Sequence, residues 1–358
     1  MERMERMEKV KIGFLGCGHM GQLGHLQNYA MLDGCELVAL ADCQFKRAQM
    51  VAQAYSIARV YASMEELLDD REVEAVVAVQ QPEHNVDVVC EVLNSGRHLL
   101  TEKPLCIYPE NGRRLVDCAA ANNKVHMVAN HKRSDPATEY GLKVIKKWKA
   151  SNEMGRMNYI RIAAPPGDWM NGAVGRGKPI NSDEAPYKYI PEPVPAYMDK
   201  KAHDDYFGFV NYWIHQVNLM RFLLGEDFKL TFGDRSGLLL AVESDSGITG
   251  TIEMAIYNTT DSWHESAFVC FEKGYVDIRL PAPLASQRAG EVTVFTDNGG
   301  GGVYSSPALP NVGAMRNQAM NFIKAAKGEA PPPCPSSEAL KDLEFSLDYI
   351  NYMRKYRQ

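Results

Sequence analysis

Between residues 10 and 130, short apolar runs alternate with stretches whose apolar positions recur at helical spacing. The runs are "VKIGFLG" (10–16), "CELVALAD" (35–42), "VEAVVAVQ" (73–80), "RHLLTEKP" (97–104) and "KVHMVAN" (124–130). Their length and flanks predict buried strands. The stretches 21–31, 46–55, 63–70, 84–96 and 109–123 predict helices. Ser63 ahead of Glu65 and Glu66 reads as an N-cap with an acidic first turn, Gly96 as a C-cap, and Pro109 as a first-turn proline. Strict alternation of strand and helix predicts a doubly wound parallel sheet.

Past residue 131 the texture changes. A helix is predicted over 137–151, then strands at 156–164, 237–244, 247–257, 265–280 and 291–297, with few helices between the later ones. An antiparallel sheet follows from that spacing. Closing helices are predicted at 315–328 and 336–356, around "GEAPPPCP". The expected fold class is α/β. A Rossmann domain over 9–130 precedes an α+β domain with an open, mostly antiparallel sheet over 131–340, and a C-terminal helix, 341–358, packs back on the body. The opening "MERMERMEK", a short charged repeat, is set aside as a frayed leader or a mis-set start, and no internal repeat is found elsewhere.

Composition narrows the classes. A hydrophobic share of 45% suits a globular core, and a net charge of −6 argues against nucleic-acid binding. The eight cysteines form no C-x-x-C pair, which predicts reduced thiols in a cytoplasmic protein. No apolar run approaches the roughly 18 residues of a spanning helix. No His/Cys spacing suggests a metal site.

The candidate chemistry begins at "KIGFLGCGHMGQLGH" (11–25). Gly16, Gly18 and Gly21 follow a strand, open a helix and precede Asp42 at the end of the next strand, the context that a dinucleotide fingerprint requires. Gly16 allows the tight turn, Gly18 lets backbone approach a pyrophosphate, and Gly21 lets helix and strand pack closely. Asp42 can accept bonds from the ribose hydroxyls and would repel a 2′-phosphate, so NAD is favoured over NADP, although Lys46 and Arg47 lie near. The expected cofactor-binding residues are Gly16, Gly18, His19, Met20, Gly21, Asp42, Gln81, Pro82, His84, Glu102 and Lys103. Ligands of open α/β sheets bind beyond the carboxyl ends of strands, and Lys103 of "TEKPL" stands at such an end.

With these motifs the chain resembles the glucose-fructose oxidoreductase / inositol dehydrogenase / rhizopine-catabolism (Gfo/Idh/MocA) family of NAD(P)-dependent oxidoreductases, "GRHLLTEKPL" being the most specific block. The resemblance implies that Lys103 contacts substrate and nicotinamide, and that the peptide bond before Pro104 is often cis. It implies association through the open sheet, as a homodimer or homotetramer. The family places an Asp and a His four residues apart on a helix. In "FGFVNYWIHQVNLMRFLLGE" (207–226) His215 takes the His position, Asn211 stands in place of the Asp, and Asn218 in place of a following acid. Asn211, His215, Asn218 and Phe222 share one helical stripe. A further family His position holds Asn85, with His84 one place earlier as a candidate for the nicotinamide side. "ANHKRSDPA" makes His131, Lys132 and Arg133 candidates to face substrate. In the long segment 164–206, Asp168, Trp169 and Tyr206 are candidates to bind a sugar, with an oligomer contact through Trp169 and the tyrosines as the alternative.

The function these residues imply is hydride transfer between NAD and a hydroxyl-bearing carbon of a carbohydrate or cyclitol. His215 takes the hydroxyl proton, as a neutral imidazole can near pH 7. Lys103 stabilises the developing alkoxide, and Asn211 and Asn218 orient ring or substrate. Two alternatives stand beside this: a glycoside-cleaving enzyme that recycles tightly bound NAD, and a non-catalytic NAD-binding regulator, to which Asn211 gives weight.

Overall fold

The computed structural model describes residues 9–164, 167–173, 178–185, 192–255, 259 and 261–357. Residues 1–8, parts of the long segment 164–206 and the end of the strand predicted at 247–257 lie outside the described residues.

The first sheet contains β1 (Val10–Leu15), β2 (Cys35–Ala41), β3 (Arg59–Tyr61), β4 (Ala75–Ala78), β5 (His98–Thr101) and β6 (His126–Val128). Its order is β3-β2-β1-β4-β5-β6, and every pairing is parallel. The order reverses beside β1, which creates a crevice beyond the carboxyl ends of β1 and β4. A π-helical turn, Gly21–Leu26, runs into α1 (Gln27–Tyr29). The other crossovers hold α2 (Phe45–Tyr55), α3 (Met64–Asp69), α4 (Asn85–Asn94) and α5 (Pro109–Asn122). Ser63 caps α3 as predicted, its hydroxyl accepting from the Glu66 N–H at 3.2 Å. The sequence reading missed β3. Its three residues are half-buried at the sheet edge, so no apolar run marks it.

The described residues divide into two compact units. The first comprises residues up to Ala129, with those of Gly177–Pro193 and Gln318–Leu340. The sequence reading gave both later segments to the second domain. Apolar packing explains the difference for the second of them. Ala319, Phe322 and Ile323 of α8 (Ala314–Ala326) join the core of Ile12, Phe14, Tyr29, Leu40 and Val77. Burying a side chain such as Phe322 contributes about 1.5–3 kcal/mol.

The second unit comprises Asn130–Arg176, Val194–Asn317 and Lys341–Gln358. Its sheet order is β14-β13-β12-β11-β7-β10-β9-β8. These strands are β7 (Met157–Ala163), β8 (Phe228–Gly233), β9 (Leu239–Ser244), β10 (Thr249–Glu253), β11 (Ser266–Phe271), β12 (Gly274–Arg279), β13 (Glu291–Asp297) and β14 (Gly302–Ser305). Only β7 and β10 pair in parallel. The run predicted as one strand over 265–280 is a hairpin, turning at Glu272 and Lys273. β8 and β14 were not predicted. Both lie at the sheet's edges, and β14 is wholly exposed. One face buries Ile160, Ile162, Val242, Ile252, Val269, Val276 and Ile278. The other carries a partly exposed aromatic row, Phe268–Tyr275–Phe295–Tyr304, with successive ring centroids 5.0, 5.2 and 4.9 Å apart.

The unit's helices are α6 (Pro136–Ser151) and α7 (Lys200–Leu224), joined by the last part of α9 (Ser336–Arg357). α7 begins seven residues before the stretch read as its start. Asp199 caps it, accepting from the Ala202 N–H at 2.8 Å, and Gly225 at φ +69° closes it. Its inner end meets a buried polar network. Arg221 donates to Asp342 Oδ1 at 2.9 Å and to Asp227 Oδ1 at 2.8 Å, and Asn218 donates to the other Asp342 oxygen. Removing one partner of a buried ion pair strands the other in low dielectric. Asp342→Ala is therefore expected to cost about 3–5 kcal/mol, measured as a lowered urea midpoint. An unchanged midpoint would show that the network contributes nothing to stability.

Candidate functional site

In the first unit, β1 ends in a turn made of backbone against backbone. Gly16 has φ +92°, and a Cβ there would lie 2.4 Å from the Val79 carbonyl oxygen. A Cβ on Gly21 would lie 2.6 Å from the Gly16 carbonyl oxygen. Gly18 differs, since a Cβ there would meet nothing within 4 Å. The turn is thus closed by Gly16 and Gly21 and open at Gly18, as a loop that cradles a pyrophosphate must be. His19 is exposed, and Met20 is half-buried. The Gly16 N–H donates to Ala41 O at 2.8 Å, which ties the turn to the end of β2.

Asp42 follows β2 as expected, but its carboxylate is already engaged. Oδ2 accepts from the Cys17 N–H, Oδ1 accepts from the Gln44 N–H, and Arg47 Nη2 donates to both, all at 2.8 Å. Burial works to raise its pKa. The bonds from Cys17, Arg47 and Gln44 outweigh that and hold the carboxyl below its usual range. A carboxylate has about four acceptor positions, and all four are filled. The expectation of an Asp42 open to ribose is corrected: a ribose hydroxyl must displace a donor, and the Arg47 side chain is the movable one.

At the end of β5, Glu102 is only 8% exposed. Its Oε1 lies 2.7 Å from His25 Nε2, and its Oε2 accepts from the Lys103 N–H at 2.9 Å. Burial works to raise its pKa, but the bond and charge of His25 and the charge of Lys103 prevail and lower it. Glu102, expected as a cofactor contact, thus also braces the helix after the glycine turn against the Lys103 turn. Asn85 is the second brace, its Nδ2 donating to the carbonyls of Pro104 at 3.2 Å and Leu105 at 3.1 Å. The Lys103–Pro104 peptide is cis, as the resemblance implies. Lys103, Pro82 and His84 are half-buried, and Gln81 is exposed.

In the second unit, the predicted stripe on α7 runs from surface to core. Asn211 is exposed, His215 is half-buried and Asn218 is buried. His131 packs edge-on against His215, with ring centroids 4.9 Å apart. The three consecutive basic candidates have separate fates. Beyond His131, Lys132 is buried against the Glu265 carboxylate, to which Gln216 Nε2 donates at 2.7 Å and Trp263 Nε1 at 3.3 Å. Arg133 is 2% exposed, donates to Asn218 Oδ1 at 2.5 Å and stacks 4.8 Å from the Phe222 ring centroid. Arg133, expected to face substrate, and Asn218, expected to orient ring or substrate, are both members of the buried network. Tyr206 has no exposed surface, so it packs and offers a sugar no face. Asp168 Oδ1 accepts from the Met170 N–H at 3.0 Å, a local turn bond, and Trp169 is 38% exposed.

Glu265 was missed by the sequence reading. It lies on a cavity of about 660 Å³ with Asn171, Trp263, His264 and Arg288, all in this unit. No spacing links residue 265 to 132 or 216, so no local signal marks it. Among the described residues, no His/Cys/Asp/Glu group is placed to hold a metal ion, and no helix is long and apolar enough to cross a membrane.

Comparison with known proteins identifies the first domain. Residues 10–130 match the model of the Gfo/Idh/MocA group, described as an oxidoreductase family with an NAD-binding Rossmann fold. Over that stretch the chain is similar to the NAD-binding domain of the Gfo/Idh/MocA oxidoreductases. It is 25% identical over 294 residues to inositol 2-dehydrogenase of Salmonella paratyphi B, covering 78% of this chain and 77% of that one. Two solved structures share the fold. An NAD-binding oxidoreductase of Klebsiella pneumoniae superposes with TM-score 0.71 at 16% identity, covering 98% of each chain. A 3-ketoreductase of Actinomadura kijaniata in complex with NADP superposes with TM-score 0.66 at 13% identity, covering 95% of this chain and 96% of that one.

The glycine turn fits the dinucleotide that the family binds. Gly16→Ala places a side chain at positive φ against a carbonyl and is expected to cost about 1–3 kcal/mol. Gly18→Ala is expected to leave stability within about 0.5 kcal/mol and to weaken dinucleotide binding. Thermal melts and dinucleotide titrations of both variants check this. Full affinity in Gly18→Ala would count against the cradle.

Proposed function

We propose that the chain is an NAD-dependent dehydrogenase acting on a CH–OH group of a sugar or cyclitol. The observation that carries this is the glycine turn, closed at Gly16 and Gly21 and open at Gly18, within a Rossmann domain of this family. The inositol 2-dehydrogenase relative supports a polyhydroxylated substrate. The bound nicotinamide would accept or return the hydride. Gly18 admits the pyrophosphate, and Lys103, braced by Glu102 and Asn85, supplies the positive charge for a developing alkoxide. His215, half-buried beside His131, is the proton acceptor. Asn211 replaces the family's carboxylate, so ring orientation at 215 falls to groups other than an acid at that position.

The test is nicotinamide absorbance with NAD across a panel of sugars and cyclitols. Lys103→Ala and His215→Ala are each expected to lower kcat by about 10²–10⁴ while NAD affinity stays within about threefold. Substrate turnover without accumulation of reduced cofactor would favour the recycled-NAD reading. Binding of NAD without any turnover would favour a regulator.

The partly exposed aromatic row supports self-association through the open sheet face, with Arg161 5.8 Å from the Phe268 ring centroid at its inner end. Phe295→Asp sets a charge in that row and is expected to reduce the oligomer seen by light scattering. A wild-type monomer would overturn this part of the proposal.

A further inference from the structure

The ribose end of the dinucleotide site carries a residue that no fingerprint contains. In Rossmann domains the second βα turn meets the adenosine ribose, so a 2′-phosphate would have to be held there. Backbone N–H groups at the start of α2 and an arginine are what such a phosphate would use. Both are present, and both are already occupied by carboxylates of this chain. Arg47 is held by Asp42. The N–H groups of Lys46 and Arg47 donate, each at 3.2 Å, to the two carboxylate oxygens of Glu184, 137 residues beyond Arg47.

Glu184 is fixed in this position from several sides. Ser182 Oγ donates to its Oε2 at 2.7 Å, and Gln44 Nε2 donates to the Ala185 carbonyl at 3.1 Å. Upstream, Gln22 donates to Ile180 O at 2.9 Å and accepts from the Ile180 N–H at 2.8 Å. Gln22 also donates to the Cys17 carbonyl at 2.7 Å. The segment thus runs from the glycine turn to the start of α2, along the edge where the adenosine half would lie. We propose that Glu184 is a specificity-determining residue, its carboxylate holding the α2 N-terminus against the 2′-phosphate of NADP and so selecting NAD. A 2′-phosphate approaching this corner meets two carboxylates and finds the backbone donors taken. The adenosine of NAD brings no anion there and requires only that Arg47 yield. Desolvation works to raise the Glu184 pKa, but the bonds from Ser182, Lys46 and Arg47 lower it, so the group is charged at neutral pH.

The inference rests on the reading that this domain binds a nicotinamide dinucleotide, and the test separates the two. Dissociation constants for NAD and NADP are measured by titration on the full chain, for wild type, Glu184→Gln and Glu184→Ala, with thermal melts to confirm folding. Wild type is expected to favour NAD. Glu184→Ala is expected to raise the affinity for NADP relative to NAD by about tenfold or more, and Glu184→Gln, which keeps the shape and removes the charge, to raise it by less. NAD affinity itself is expected to stay within about threefold. NAD binding with an unchanged NADP-to-NAD ratio in both folded variants overturns the role of Glu184 and leaves the cofactor reading standing. A wild-type preference for NADP does the same. A wild type that binds neither dinucleotide overturns both.

Discussion

The carboxyl end of the first sheet depends on backbone packing against backbone at the glycine turn. Because Gly16 and Gly21 carry no Cβ, the turn closes on Val79 and on itself. That closure aims the Cys17 N–H at Asp42 and leaves the Cys17 carbonyl to Gln22. From Gln22 the bonds reach Ile180, and from Asp42 they reach Arg47 and the start of α2. One steric permission at two glycines therefore organises the corner where a ribose would bind. The energies of the single hydrogen bonds are modest, about 0.5–1.5 kcal/mol each. What matters is that each bond fixes the geometry of the next.

The same logic separates the parts of this protein that sequence displays from those it hides. β1, β2, β4, β5 and β6 were legible because strands buried on both faces must be apolar throughout. β3, β8 and β14 were not, because an edge strand has a solvent side and needs no such run. The hairpin of β11 and β12 read as one strand because both halves alternate with the same period across a short turn. Glycine spacing announced the turn, since a backbone constraint leaves few residue choices. The engagement of Asp42 did not show: Arg47 five residues on could as well have pointed to solvent. Glu184 could not show at all, since its partners lie 137 and 138 residues away.

Buried polar groups mark the limit of motif reading in the second unit. Spacing located Asn211, His215 and Asn218 on one stripe of α7, and that stripe exists. Spacing could not say how deep each position lies. The helix descends from solvent at Asn211 into the core at Asn218, and depth assigns the work. A buried amide must find partners, so Asn218 joins Arg133 and Asp342. Arg133, read as a substrate contact, is buried with them, donating to Asn218 and adding its charge near Asp342.

His215 sits at the middle of that descent, half-buried. Its neighbour is an aromatic edge, His131, where the family pattern has a carboxylate at position 211. A carboxylate would orient the ring and favour its charged form. An imidazole edge orients it without adding negative charge. Glu265, which accepts from Gln216 on the same helix as His215, is committed to Lys132, Gln216 and Trp263. With Asn at 211, no carboxylate at that position favours a charged ring at 215, and His131 packs against that ring with centroids 4.9 Å apart.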